Sequence, residues 1–308
     1  MKRTIFTLIL ALLVIFSASA QEEMFKVLAS KGETKVISNG SEQKVLIGKK
    51  LFKDDKIVLG ENAYLGLAHK SGKTIELKKA GTYEVSKLSG EVVSQNASVA
   101  KKYVDFVAGE ITSKDEDMAK NRHKYMAVTG SVERSTEGAL KIVTPKEAYV
   151  LAGPVMLKWQ AVENAEAYVV TLTDLAEEPV YTIETKETFV VIDLSKLNFK
   201  AEKNYLWKVS VKNSKKKIES EKAILKYVDE DKAPQLEKAV SEIKTELSEE
   251  TALNKLVLAS FYEENGLILD ALSNYEAAMK LEPEVEDYKV AYGKFLERNK
   301  LATASAGK

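Results

Sequence analysis

The 308-residue chain contains no cysteine, two histidines, five prolines and two tryptophans. Each shortage closes off a class of protein. Without cysteine no disulfide can form, so a chain that leaves the cytoplasm must hold every module by its own hydrophobic core. Thiolate zinc sites and attachment of a lipid through cysteine are excluded by the same count. His69 and His123 both sit in polar stretches, and neither has a recognisable acid partner nearby in sequence. A catalytic triad or a histidine-rich metal site therefore has no raw material. Both histidines are expected on the surface. After residue 20 no apolar run approaches the roughly 20 residues of a membrane-spanning helix. An excess of one charge is missing too. The 46 basic and 46 acidic side chains balance, which argues against nucleic acid or an anionic membrane surface as the main partner.

The first twenty residues carry the sharpest pattern. Lys2 and Arg3 precede an apolar run over residues 5–16 that only Thr7 interrupts, and Ala18-Ser19-Ala20 supplies the small-x-small signature of signal peptidase cleavage. At a 1.5 Å rise that run spans only about 18 Å, short of a hydrocarbon core of about 30 Å. Residues 1–20 are expected to be a cleaved export signal, placing the protein in the periplasm or cell envelope. With 45% hydrophobic residues, the remainder is large enough for two or three ordinary domains.

Residues 23–87 read as short alternating strands, around Val27-Leu28, Val36-Ile37, residues 44–47, Ile57-Val58-Leu59, and a hairpin of Tyr64-Leu65-Gly66-Leu67-Ala68 with Thr74-Ile75-Glu76-Leu77. Spaced turns of Gly and Asn mark a sandwich or barrel. The phrases Ala29-Ser30-Lys31-Gly32, Leu46-Ile47-Gly48-Lys49, Asp55-Lys56-Ile57-Val58-Leu59-Gly60 and Gly81-Thr82-Tyr83-Glu84-Val85 resemble the FecR-type β domain. The resemblance implies a β module outside the cytoplasm. Iron signalling does not transfer, because the cytoplasmic anti-sigma segment and central membrane span of those regulators have no counterpart here. From residue 98 to 112 the period changes. Val99, Tyr103, Phe106, Val107 and Ile111 fall on one face of an amphipathic helix, with Ser98 as its N-cap. A polar linker follows, and residues 126–132 are expected to return one strand to the first module.

A second β pattern covers residues 144–227. Val155-Met156-Leu157-Lys158-Trp159, Tyr168-Val169-Val170-Thr171-Leu172 and Tyr205-Leu206-Trp207-Lys208-Val209 resemble a fibronectin type III or immunoglobulin-like sandwich. In such a fold a tryptophan on one inner face packs against a tyrosine near the opposite corner. Beyond Pro234 the chain reads as helices over residues 235–247, 251–265, 268–281 and 285–298. Leu258-Ala259, Tyr262, Gly266, Ala271, Tyr275, Ala278 and Pro283 stand at spacings that resemble a tetratricopeptide repeat, with Lys255 at a usually apolar position. Such arrays need about three repeats. One repeat and a half-repeat must therefore gain an extra helix or dock on another surface.

Several short patterns invite chemistry and lose it on inspection. The stretch from Gly66 to Thr74 has five residues between its glycines rather than the four of a phosphate loop, and a β run follows, so it reads as a turn. Asp115-Glu116-Asp117 lacks calcium-loop spacing. Lys215-Lys216-Lys217 is expected to crown a hairpin. Asn39-Gly40-Ser41 and Asn96-Ala97-Ser98 fit a glycosylation pattern that arises often by chance. No catalytic, cofactor-binding or metal-ligating set is identified, and no cofactor.

The expected fold class is a multidomain β plus α protein: a β-rich N-terminal module, an immunoglobulin-like sandwich and a C-terminal helical hairpin repeat. Its divisions are a signal peptide at 1–20, a FecR-like domain at 21–90, and helix and linker at 91–142. The sandwich occupies 143–228, a tetratricopeptide-like region 229–300, and a flexible tail 301–308. The expected function is non-enzymatic interaction or scaffolding through envelope proteins, with the helical end presenting a groove and Tyr262 and Tyr275 in its core. The alternative is binding of peptidoglycan or another cell-wall glycan, for which Trp159 and Trp207 would have to be solvent-accessible.

Overall fold

The computed structural model describes residues 22–92, 99–112, 140–197 and 204–301. The expected export signal, the return strand over 126–132, His123, the acidic run at 115–117 and the Asn96 motif all lie outside them.

The N-terminal module is two antiparallel four-stranded sheets. One has the order β4-β1-β6-β7, built from Lys50–Phe52, Glu23–Lys31, Tyr64–His69 and Thr74–Leu77. The other has the order β3-β2-β5-β8, from Ser41–Lys44, Thr34–Ser38, Lys56–Leu59 and Gly81–Glu84. Phe25, Val27, Val36, Leu51, Ile57, Leu65 and Leu67 fill the space between them. Two local expectations fail. The strand expected at 44–47 lies at Ser41–Lys44, with every residue exposed. Val45 turns into the core while Leu46 stays in solvent, so this apolar triplet is not a strand. The β pattern expected to reach residue 87 ends at Glu84, and helix α1 (Val85–Val92) follows. Val85, Leu88 and Val92 recur at helical spacing and close one end of the same core.

Strand β6 is buried at all six positions, because the sheet it belongs to is covered on both sides. Leu65 and Leu67 face the second sheet, whereas Tyr64 and Ala68 join the core of the helical region. A register shift in β1 between Val27 and Ala29 places Leu28 and Ala29 in that helical core too. An irregularity of this kind lets two successive side chains serve one face. Gly66 belongs at the point of contact: a Cβ there would lie 3.4 Å from the Ala29 Cβ and 3.5 Å from Leu253 Cδ2.

The second β module pairs β10 (Pro154–Lys158) with β13 (Phe189–Asp193) opposite a five-stranded sheet of order β12-β11-β14-β15-β9. Those strands are Pro179–Thr185, Tyr168–Thr173, Tyr205–Val211, Ala223–Tyr227 and Glu147–Val150. Strands β15 and β9 run parallel, and the other pairs antiparallel. Trp159 meets Tyr168 edge-on with centroids 5.4 Å apart, and the Tyr168 hydroxyl accepts from the Val162 N–H at 2.9 Å. The expected tryptophan–tyrosine core is therefore present.

Helix α2 (Ala100–Thr112) precedes this module, and α3 (Ala233–Glu246), α4 (Ala252–Glu264), α5 (Ile268–Leu281) and α6 (Glu286–Arg298) follow it. On α2 the expected apolar face is rotated: Val99 is exposed, and Tyr103, Val104, Val107 and Ala108 are buried. Thr251 caps α4 by accepting from the Asn254 N–H at 3.2 Å. Gly266, at φ 74°, lets the chain turn after α4, a conformation that a side chain would disfavour. Pro283 follows the end of α5.

Candidate interaction surfaces

The helices form a layer with a β module on either side, and each side is joined to it by a specific set of side chains. At the first joint Phe261 on α4 meets Tyr103 on α2 edge-on at 5.1 Å, within a core that also holds Leu28, Ala29 and Tyr64 of the N-terminal module. The buried hydroxyls of Tyr64 and Tyr288 lie 2.6 Å apart. Burial, with the Glu76 carboxylate beside them, holds both phenols protonated, far above the ordinary tyrosine value. Glu76 Oε1 accepts from the Leu253 N–H at 2.8 Å, so a strand of one module satisfies the positive N-terminal end of a helix in the other. Thr74 donates to Asn254 beside it. Lys31 pairs with Glu284, and Lys78 bridges Glu76 and Glu282. Helix α2 is fixed similarly: the Val99 and Ala100 N–H groups donate to the two Glu246 carboxylate oxygens, each at 3.0 Å.

The second joint is made by α5, which packs against β9 and β10. Leu269 projects into the core of the second β module, buried with Trp159, Trp207 and Leu157. Glu276 accepts from Lys158 of β10 at 2.6 Å and from the Tyr292 hydroxyl of α6 at 2.9 Å. One carboxylate thus ties the sandwich to two helices.

The tyrosine pair gives a direct test of the first joint. Tyr288→Phe removes one partner of the buried Tyr64 hydroxyl and leaves it Glu76, which should cost about 1 kcal/mol. Adding Tyr64→Phe should then cost less than Tyr64→Phe does by itself, because the bond between the two hydroxyls is already gone. Urea unfolding of the two singles and the double reads that coupling.

A second local feature predicts a pH effect. Burial pushes the Asp270 carboxyl, in the first turn of α5, up to about 6, against the pull of the Lys244 ammonium. Its folded value is above the unfolded one. Its contribution therefore favours the fold below about pH 4 and is lost as the pH rises toward 6. Asp270→Asn should raise stability at pH 7 and flatten its decline between pH 4 and 6, measured by urea melts across that range.

The other sequence candidates fall in ordinary places. The Gly66–Thr74 stretch is the β6–β7 hairpin. His69 is not on the surface as expected; it is 3% exposed. Its Nδ1 accepts from the Ser71 N–H at 3.1 Å, so its proton sits on Nε2, which donates to Ser89 Oγ at 2.9 Å. Burial, then Lys70, lowers its pKa. This histidine pins the hairpin to α1. Lys215 to Lys217 lie in the β14–β15 connection, with Lys217 3.2 Å from Glu219. Asn39-Gly40 forms the β2–β3 turn. Tyr262 and Tyr275 are core residues, as expected.

No protein-family model and no curated protein matches the chain. Among solved structures it is similar to a cell surface anchoring domain, with 17% identity and a TM-score of 0.23, over 24% of this chain and 99% of that one. It is similar to the chicken CNTN1 FN1–FN3 domains at 11% identity and TM-score 0.22, over 67% of this chain and 58% of that one. A β-D-glucuronidase of Dictyoglomus thermophilum matches at 10% identity and TM-score 0.20, over 67% and 33% of the two chains. Likenesses this distant carry no functional argument.

The two tryptophans are each 1% exposed, so neither ring is available to stack on a sugar, as the glycan alternative required of them. One exposed aromatic that sequence reasoning did not single out is Tyr149, 44% exposed on β9. Its signal was the alternation of that strand, in which Ala148 and Val150 face inward and Glu147 and Tyr149 face out. Among the described residues no helix is long and apolar enough to cross a membrane.

Proposed function

We propose that the protein is a non-enzymatic interaction or scaffolding protein of the bacterial cell envelope, exported by residues 1–20 and acting through protein–protein contacts. The observation that carries this reading is the shared core. Helices α2 to α6 bury one face of the N-terminal sheet and also insert Leu269 into the sandwich. Modules welded in this way hold their outward faces at fixed spacing, which is what a scaffold requires.

The helical region, read as tetratricopeptide-like, supports this through its α4–α5 hairpin with Tyr262, Gly266, Ala271 and Tyr275 at the repeat's positions. Its helices have a different task from the groove expected of them. The α4 face that would receive a partner is occupied by α2 and by the N-terminal sheet. Contacts with other proteins are accordingly assigned to the outer faces of the β modules. There Phe189 and Val191 on β13 stand exposed.

Photo-crosslinking residues placed at Glu42 on β3 and at Val191 on β13 test the reading in living cells. Envelope proteins should be captured at one or both positions. Failure of both, or recovery of the chain in the cytoplasm on fractionation, would sink it.

A further inference from the structure

A cleft of about 560 Å³ opens where the edge of the second β module meets the start of α3 and the α4–α5 turn. That size falls within the range of small-ligand sites, and junctions between modules are where such sites commonly lie. Tyr149 lines it with an aromatic ring 44% exposed to solvent. The ring is set by the strand itself, since Tyr149 pairs with Lys226 in the parallel β9–β15 ladder. Val228 and Leu236 supply a small apolar floor.

The rim is polar and carries both signs. Asp229 and Lys232 lie 3.4 Å apart and offset each other's charge. Gln235 lies exposed on the first turn of α3. Asn265 donates its amide to the Phe261 carbonyl at 2.7 Å, which leaves its side-chain oxygen as an acceptor.

The chemistry of the lining selects among ligand classes. A strongly charged ligand gains little from an Asp–Lys pair that already neutralises itself. A hydrophobic ligand finds too small a floor beside too many polar groups. An extended peptide added to a sheet needs a bare strand edge, whereas helix α5 packs against the edge strand β9. A pyranose ring fits better: a flat face of C–H groups for the tyrosine, ringed by hydroxyls that both donate and accept. Glucose-type sugars, whose ring substituents are equatorial, present that face, and β-linkage keeps successive rings extended along an open cleft.

We propose that this cleft binds a β-linked, glucose-type oligosaccharide, with Tyr149 stacking on one ring and Asp229, Gln235 and Asn265 bonding its hydroxyls. The site is independent of the protein contacts inferred above, so either can fail without the other.

The test titrates the full chain with cellotetraose and chitotetraose by calorimetry, using the α-linked maltotetraose as comparison. At least one β-linked sugar should bind, and bind more tightly than maltotetraose. Tyr149→Ala should weaken it about tenfold, and Tyr149→Phe, which keeps the ring, by no more than about threefold. Because Tyr149 is exposed, both variants should keep the parent's melting temperature. Should Tyr149→Ala fail to fold, Asn265→Ala replaces it, with weaker binding expected. Absence of binding by both β-linked sugars at millimolar concentration would overturn the proposal. So would equal binding of maltotetraose, unchanged affinity in the folded alanine variant, or equal losses in the Ala and Phe variants.

Discussion

Phe261→Ala should destabilise the protein by about 3–5 kcal/mol, the range for removing a fully buried phenyl ring. The more telling result is where the loss is felt. Phe261 is among the largest fully buried side chains and sits in one core with Leu28, Ala29 and Tyr64 of the first β module and with Tyr103 of α2. The cavity left behind would remove contacts from α2 and α4 together, and the sheet resting on them would lose its support. Hydrogen exchange should therefore rise in β1 and β6 as well as in α4. If exchange rises in the helices alone, the first module is held by its own core and the joint is weaker than its packing implies.

Leu269→Ala is expected to cost about 2–5 kcal/mol, with the loss directed the other way. Leu269 belongs to a helix but is buried among Trp159, Trp207 and Leu157 of the sandwich. Its truncation opens a cavity in the core that holds both tryptophans. Tryptophan fluorescence should report unfolding at lower urea in this variant, and the transition should move with far-ultraviolet circular dichroism of the helices. Separation of the two transitions would mean that sandwich and helices unfold as independent units.

The contrast between local and distant structure explains what the sequence discloses. Residues 235–298 announce their helices through period, a glycine stop at Gly266 and a proline at Pro283, all of which act over a few residues. The Trp159–Tyr168 core is legible for a similar reason, since strand alternation shows which face each side chain takes. Harder to see is a helix such as α4, apolar on nearly every side: Leu253, Leu256, Val257, Leu258, Phe261 and Tyr262 are all buried. That pattern signals burial on all sides without naming what does the covering.

The short misreadings have comparable causes. Val45-Leu46-Ile47 has strand-like composition, but the chain turns there and pairs through Ser41 to Lys44 instead. Val85, Leu88 and Val92 carry a helical spacing only eight residues long, easily taken for the end of the preceding strands. From sequence His69 reads as a surface residue because its neighbours Lys70, Ser71 and Lys73 are polar. Ser71 and the distant Ser89 satisfy both ring nitrogens inside the fold, and no local pattern discloses a partner twenty residues away. Tyr149 escaped notice because its cleft is assembled from segments more than a hundred residues apart.

The lack of cysteine offers a clean way to examine the welded arrangement. Glu42→Cys and Thr182→Cys place single labelling sites on β3 of the first module and β12 of the second, both exposed, with no native thiol to compete. Electron–electron distance spectroscopy on the doubly spin-labelled chain should give one narrow distribution, unchanged by dilution. A broad or multiply peaked distribution would show two β modules moving on a hinge, and would contradict a rigid helical joint between them.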